Sequence, residues 1–129
     1  MEMQNQIKEY VAQYEKEVRK LADQLRNECM SQTTEELFSE FETNGNRIRY
    51  EDVYFGRRKF LSVLGLASVI WREKEDIQKL EEVIREICAE ECWALPAHVR
   101  RKENPNWRGV IDLFASETGQ TLAHITTLL

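Results

Sequence analysis

The sequence predicts an all-α fold of antiparallel helical hairpins, and three observations carry that expectation. Apolar residues recur at helical spacing over long stretches. Only five glycines and two prolines interrupt 129 residues, fewer turn formers than a sandwich requires. Around the Asn44-Gly45-Asn46 turn there is no β-branched alternation, so the turn links helix to helix and is not a hairpin tip. The length suits one helical domain over residues 1–129.

The elements follow in order. Ile7, Val11, Tyr14, Val18, Leu21 and Leu25 are separated by four and three residues in turn, which predicts a long amphipathic helix over about 5–29. A core-facing stripe is expected there in preference to a free coiled coil, because the pattern stops after about three heptads. Thr33 and Glu36 have the spacing of a capping box before Leu37, Phe38 and Phe41, giving a short helix that ends at the turn.

A second long helix is expected over about 50–72. Its later half, from Phe60 to Trp71, is apolar almost all round, which marks a central helix, and Gly56 and Gly65 suggest close packing. Tyr50, Tyr54, Arg57 and Arg58 near its start suit either a ligand face or, preferably, side chains snorkelling at the rim. Ile77, Leu80, Val83, Ile84, Ile87 and Cys88 place a third long helix over about 74–91, antiparallel to the second because so few residues separate them. Ile111, Phe114, Leu122 and Ile125 place a fourth, with Asp112 in its first turn and His124 in a structural position. The final Thr126-Thr127-Leu128-Leu129 lacks the usual helix-closing residues, and the expectation is an N-terminal fragment of a larger helical array with an unfinished apolar face.

Charge narrows the function classes. A net charge of −5 argues against general nucleic-acid binding. The N-terminus has no signal-like apolar run, and Phe60 to Trp71 is too short to span a bilayer, so a cytoplasmic protein with no membrane association is expected. Cys29, Cys88 and Cys92 are odd in number and are read as packed structural thiols. Cys88 and Cys92 fall four apart on the expected helix, but no further Cys or His pair completes a metal site, so no metal or cofactor is assigned.

Chemistry concentrates in residues 93–112. That stretch holds both prolines, Trp93, Trp107 and His98, and between Pro96 and Val110 it carries Arg100, Arg101, Lys102 and Arg108 against the single acid Glu103. Guanidinium groups beside aromatic planes suit a sugar ring bearing carboxylate or sulfate. The competing reading makes Trp93 a core anchor, the charged run a solvated loop and His98 a helix cap. No glycine-rich phosphate loop, serine elbow or paired metal histidines are present, and no tyrosine and histidine pair stands near His98, so binding is expected before catalysis and no catalytic residue is assigned.

Trp93-Ala94-Leu95-Pro96-Ala97-His98, followed by Ile111-Asp112-Leu113-Phe114-Ala115-Ser116-Glu117-Thr118-Gly119 and Leu122-Ala123, resembles the N-terminal helical part of heparinase II/III-like proteins. Phe55-Gly56-Arg57-Arg58-Lys59-Phe60 and Glu86-Ile87-Cys88 are compatible with it, and the specific likeness covers about a third of the chain. The resemblance implies an incomplete (α/α) toroid that in the whole protein precedes a β-sandwich. It also implies a polysaccharide lyase that cleaves uronic-acid-containing chains by β-elimination. The family's catalytic tyrosine and histidines match no residue of this chain, so the isolated segment is expected to be inert. His98 is the leading substrate contact, with Trp93, Trp107, Arg100 and Arg101 behind it, and the implied partner is an acidic polysaccharide or oligosaccharide.

Two alternatives stand beside this. One is a non-catalytic interaction module that dimerises through exposed apolar helix faces. The other is a toroid glycoside hydrolase segment, which would need two carboxylates facing one cleft, whereas Asp112 and Glu117 fall on different faces of their helix.

Overall fold

A computed structural model describes all residues, 1–129, and every regular element in it is helical. The order is α1 (Glu2–Arg26), α2 (Glu35–Asn44), α3 (Ile48–Trp71), α4 (Lys74–Cys88), a single turn α5 (Pro96–Val99), a 3-10 turn at Trp107–Gly109 and α6 (Leu113–Leu128). Four long helices and one short one therefore match the sequence expectation, with α5 and the 3-10 turn added inside the 93–112 stretch.

Local chemistry sets the boundaries. The α2 N-cap is Thr34, whose Oγ1 accepts from the Leu37 amide at 3.2 Å, so the expected capping box at Thr33 and Glu36 is corrected by one residue. Gly45 ends α2 with φ of 76°, a left-handed conformation that favours glycine. The Asn44 and Asn46 side chains then accept from the Asn46 and Ile48 amides, turning the chain into α3. Between α3 and α4 only Arg72 and Glu73 intervene, with Arg72 itself left-handed at φ of 53°. Its guanidinium donates to the Leu128 and Leu129 carbonyls at 2.9 Å each, supplying the exposed end of α6 with partners from the connection after α3.

Two apolar clusters hold these elements. The first joins Val18, Ala22 and Leu25 of α1 to Phe60, Leu61, Leu64 and Ala67 of α3, Leu80, Val83 and Ile87 of α4, and Ile125 of α6. Here α3 is the central helix. It runs antiparallel to α4 and parallel to α6, as shown by Arg57 reaching Glu90 and by Arg58 and Arg72 reaching Thr118 and Leu129. The close approach of α6 to α3 needs Gly65, because a Cβ there would lie 2.5 Å from the Ile125 side chain. The second cluster gathers Phe38, Tyr50, Tyr54, Cys92, Leu95, Val99 and Trp107.

Several expectations change. Only the later half of α1 faces the core; Ile7, Val11 and Tyr14 are at least half exposed. The cause is length: Arg19 already stacks on Trp71, the last residue of α3, so the first four turns of α1 run past the end of the helix they would pack against. Tyr50, Tyr54 and Arg57 are buried, which overturns the snorkelling-rim reading. Cys92 lies beyond the end of α4 and is buried, while Cys29 and Cys88 are exposed, so Cys88 and Cys92 share no helical face and two of the three thiols do not pack as core. His124 is exposed, not a core residue.

Candidate functional site

The stretch between α4 and α6 is held by one carboxylate. Asp112 is the N-cap of α6, accepting from the Ala115 amide at 2.8 Å through Oδ1. Its Oδ2 accepts from the Leu95 amide at 3.0 Å and lies 2.8 Å from His98 Nδ1. Burial pushes the Asp112 carboxyl up, but hydrogen bonds from His98, Leu95 and Ala115 prevail and hold it below the usual carboxylate range. His98 therefore sits on α5 in a fixed orientation. Its ring stacks on Phe114 at 6.1 Å, which in turn meets the exposed Phe55 edge-on at 5.3 Å, and its side chain remains 37% exposed. With Nδ1 engaged by Asp112, the ring's other nitrogen is the one left for a ligand.

The remaining sequence candidates fall into different places. Trp93 is half-buried against the aliphatic cluster and donates its indole N–H to the Ile87 carbonyl at 2.9 Å, as a core anchor does. Trp107 is buried in the second cluster, with the Arg101 and Arg108 guanidinium groups against its ring. Arg101 is engaged by Glu42 at 2.9 and 3.1 Å and by Glu35 at 2.7 Å, and that contact lowers the Glu35 carboxyl below its ordinary value. Arg108 makes a longer, exposed contact with Glu91 at 3.4 Å. Arg100 projects from the end of α5 with φ of 46° and forms no ion pair. Of the expected knot of positive charge, Arg101 is thus neutralised from α2 and Arg108 meets Glu91, while of the five candidates His98, its Nδ1 held by Asp112, and Arg100 remain presented to solvent. Glu35, Phe38 and Glu42 occupy one face of α2 at spacings of three and four, the sequence signal that this helix complements the basic loop.

A second constellation lies between α2, α3 and the end of α4. Glu90, nearly buried, accepts from Arg57 Nε at 2.7 Å and from Arg58 at 2.8 and 2.9 Å. Arg57 also donates to the Ser31 and Glu86 carbonyls at 2.9 and 3.1 Å, and Arg58 to Thr118 Oγ1 at 3.0 Å. Tyr54 donates to the Trp93 carbonyl at 2.6 Å beneath the Arg58 guanidinium. This network replaces the ligand face considered for those residues with a buried tie between α3, α4 and α6. Beside it opens a cavity of about 380 Å³ whose walls include Phe38, Tyr50 and Trp107.

The chain matches no protein-family model, and comparison with curated proteins and with solved structures finds no match.

Proposed function

We propose that this chain is a helical wall segment of a heparinase II/III-like lyase acting on uronic-acid-containing polysaccharide. In this reading it supplies scaffold and part of the substrate cleft, and the residues that carry out β-elimination lie outside it. The observation that carries the reading is His98. It stands at the end of the helical array on a proline-initiated turn, its Nδ1 fixed by a carboxylate that also caps α6, with an aromatic strip of Phe114 and Phe55 alongside. A ring held this way keeps its free nitrogen at one position, which suits a hydroxyl or carboxylate of a sugar placed over the aromatic strip. Arg100 brings a cation to the same turn, and Trp93, Trp107 and Arg101 serve as its support. Tyr50 and Tyr54 sit in the interior, where burial raises both phenols, so neither is poised to exchange a proton with a polymer.

The reading is tested with an alginate tetrasaccharide. Weak saturable binding is expected, lowered several-fold in His98→Ala and Arg100→Ala, with no growth of the ultraviolet absorbance of an unsaturated uronate. Binding that ignores both substitutions would refute the assigned surface, and turnover by this chain would refute the division of labour.

A second reading, an interaction module, is favoured by one feature: the exposed stripe of Ile7, Val11 and Tyr14 on the free part of α1. Sedimentation distinguishes the two, since a monomer at high concentration would count against that stripe as a dimer face.

A further inference from the structure

The cavity beside the Arg57–Glu90 pair has an unusual inventory for its place. Its aromatic walls are Phe38, Tyr50 and Trp107, and the charged residues lining it are four glutamates, Glu35, Glu86, Glu90 and Glu91, with one cation, Arg57. That cation is spent: every nitrogen of Arg57 already donates to Glu90, Glu86 or the Ser31 carbonyl. An anion entering the cavity would meet carboxylates and no free donor of positive charge. Among the acids, Glu35 and Glu90 are firmly paired, whereas Glu86 has only a contact with Arg57 at 3.5 Å and a hydrogen bond from Gln32, and Glu91 only the long contact with Arg108. Uncompensated negative charge therefore lies at the mouth of an aromatic recess.

A separate observation points to a ligand. Tyr50 is only 4% exposed, yet its hydroxyl forms no hydrogen bond with the protein and is not sealed from solvent. The charged groups near its phenol are Glu90, which lines the cavity, and Arg58, which Glu90 engages. Tyr50 lines this cavity as well as the small recess beside Phe41 and Leu95, and its hydroxyl, open to solvent and without a protein partner, is free to bond a ligand. No three acidic, cysteine or histidine side chains converge closely enough to hold a metal ion.

We propose that this cavity binds a small organic ammonium, its apolar stem against Phe38, Tyr50 and Trp107 and its charged head toward Glu86 and Glu91, with the Tyr50 hydroxyl as a hydrogen-bond partner. The volume suits a ligand of a few carbon atoms, being near the lower end of about 300–1,000 Å³ typical of small-molecule sites. Cation–π attraction and the weakly paired carboxylates both favour the charged amine over a neutral isostere. The site is independent of the His98 surface and does not rest on the lyase reading.

The probes are n-butylammonium, n-butanol and butyrate, three stems of similar size with positive, zero and negative charge. Binding is read by NMR titration, with the indole N–H signals of Trp71, Trp93 and Trp107 as reporters. Butylammonium should saturate, shift the Trp107 signal and bind at least ten-fold more tightly than butanol, while butyrate should not bind. Tyr50→Phe should weaken butylammonium several-fold and leave the melting temperature unchanged, because the hydroxyl has no protein partner to lose. Glu86→Gln with Glu91→Gln, both at exposed positions, should weaken it further without unfolding the chain. Butyrate binding as well as butylammonium, no saturation by butylammonium, or affinity indifferent to all three substitutions would each overturn the proposal.

Discussion

Val18, Leu25, Leu61, Leu64, Leu80, Val83, Ile87 and Ile125 form a core whose contributors are all apolar and, Met30 apart, lie on long helices, whereas Phe38, Tyr50, Tyr54, Cys92, Leu95 and Trp107 draw on helix starts and on the connection after α4. The first region is cemented by area and shape. The second also needs polar ties: Glu90 between two arginines, Tyr54 to the Trp93 carbonyl, and Asp112 to three separate groups. Helices supply their own backbone hydrogen bonds, but an irregular segment drawn into the interior must find partners for its amides and carbonyls. The second region consequently carries both the presented histidine and the cavity.

The contrast is broken most severely at Glu90. Glu90→Ala leaves two nearly buried guanidinium groups without their acid, and chemical denaturation should show a loss of about 3–5 kcal/mol. In the aliphatic region the largest single-atom sensitivity is steric. Gly65→Ala forces a methyl into the Ile125 side chain, and a loss of about 1–3 kcal/mol is expected, partly recovered when Ile125→Val removes the nearest atom.

Asp112 sharpens the comparison through pH. Asp112→Ala removes an N-cap and two further hydrogen bonds, and thermal unfolding at neutral pH should report a loss of about 1–2 kcal/mol. Because the folded carboxyl titrates below its unfolded value, its contribution is fully present above the ordinary aspartate pKa and is lost as pH falls through the lower folded pKa. The wild-type and Asp112→Ala stability curves should therefore converge in acid. A gap that widens on acidification would contradict the clamp. Smallest is the α2 cap: Thr34→Ala should cost about 0.5–2 kcal/mol in a melting experiment and Thr33→Ala close to nothing, which separates the observed cap from its neighbour.

The aliphatic region was largely legible in the sequence because helical spacing and burial coincide there: Leu61 and Leu64, and Leu80, Val83 and Ile87, recur at three and four and all face inward. Periodicity could not report that α1 outruns α3, since Ile7, Val11 and Tyr14 keep the same rhythm as Val18 and Leu25. The phase of a helix is local, and the length of its neighbour is not. Burial of Arg57 was hidden for a related reason, as its acid lies 33 residues away in sequence. The basic run from Arg100 to Lys102 looked free because Glu35 and Glu42, which engage Arg101, precede it by two helices. The two prolines marked His98 as lying on a stiff turn, and it stands on α5, but its orienting partner became visible only when Asp112 was placed at the start of α6.

The overhang of α1 gives a single helix two clocks. From Val18 onward one face packs beneath α3 and α4 through Val18, Ala22 and Leu25, and the amides on that face exchange hydrogen when the core opens. From Glu2 to about Glu17 the backbone is held by its own ladder alone, a length at which an isolated helix is marginal in water. Exchange along one uninterrupted rod should therefore step from local fraying to cooperative opening within about one turn, placing an internal calibration of core stability beside a segment that reports only whatever settles on the arm.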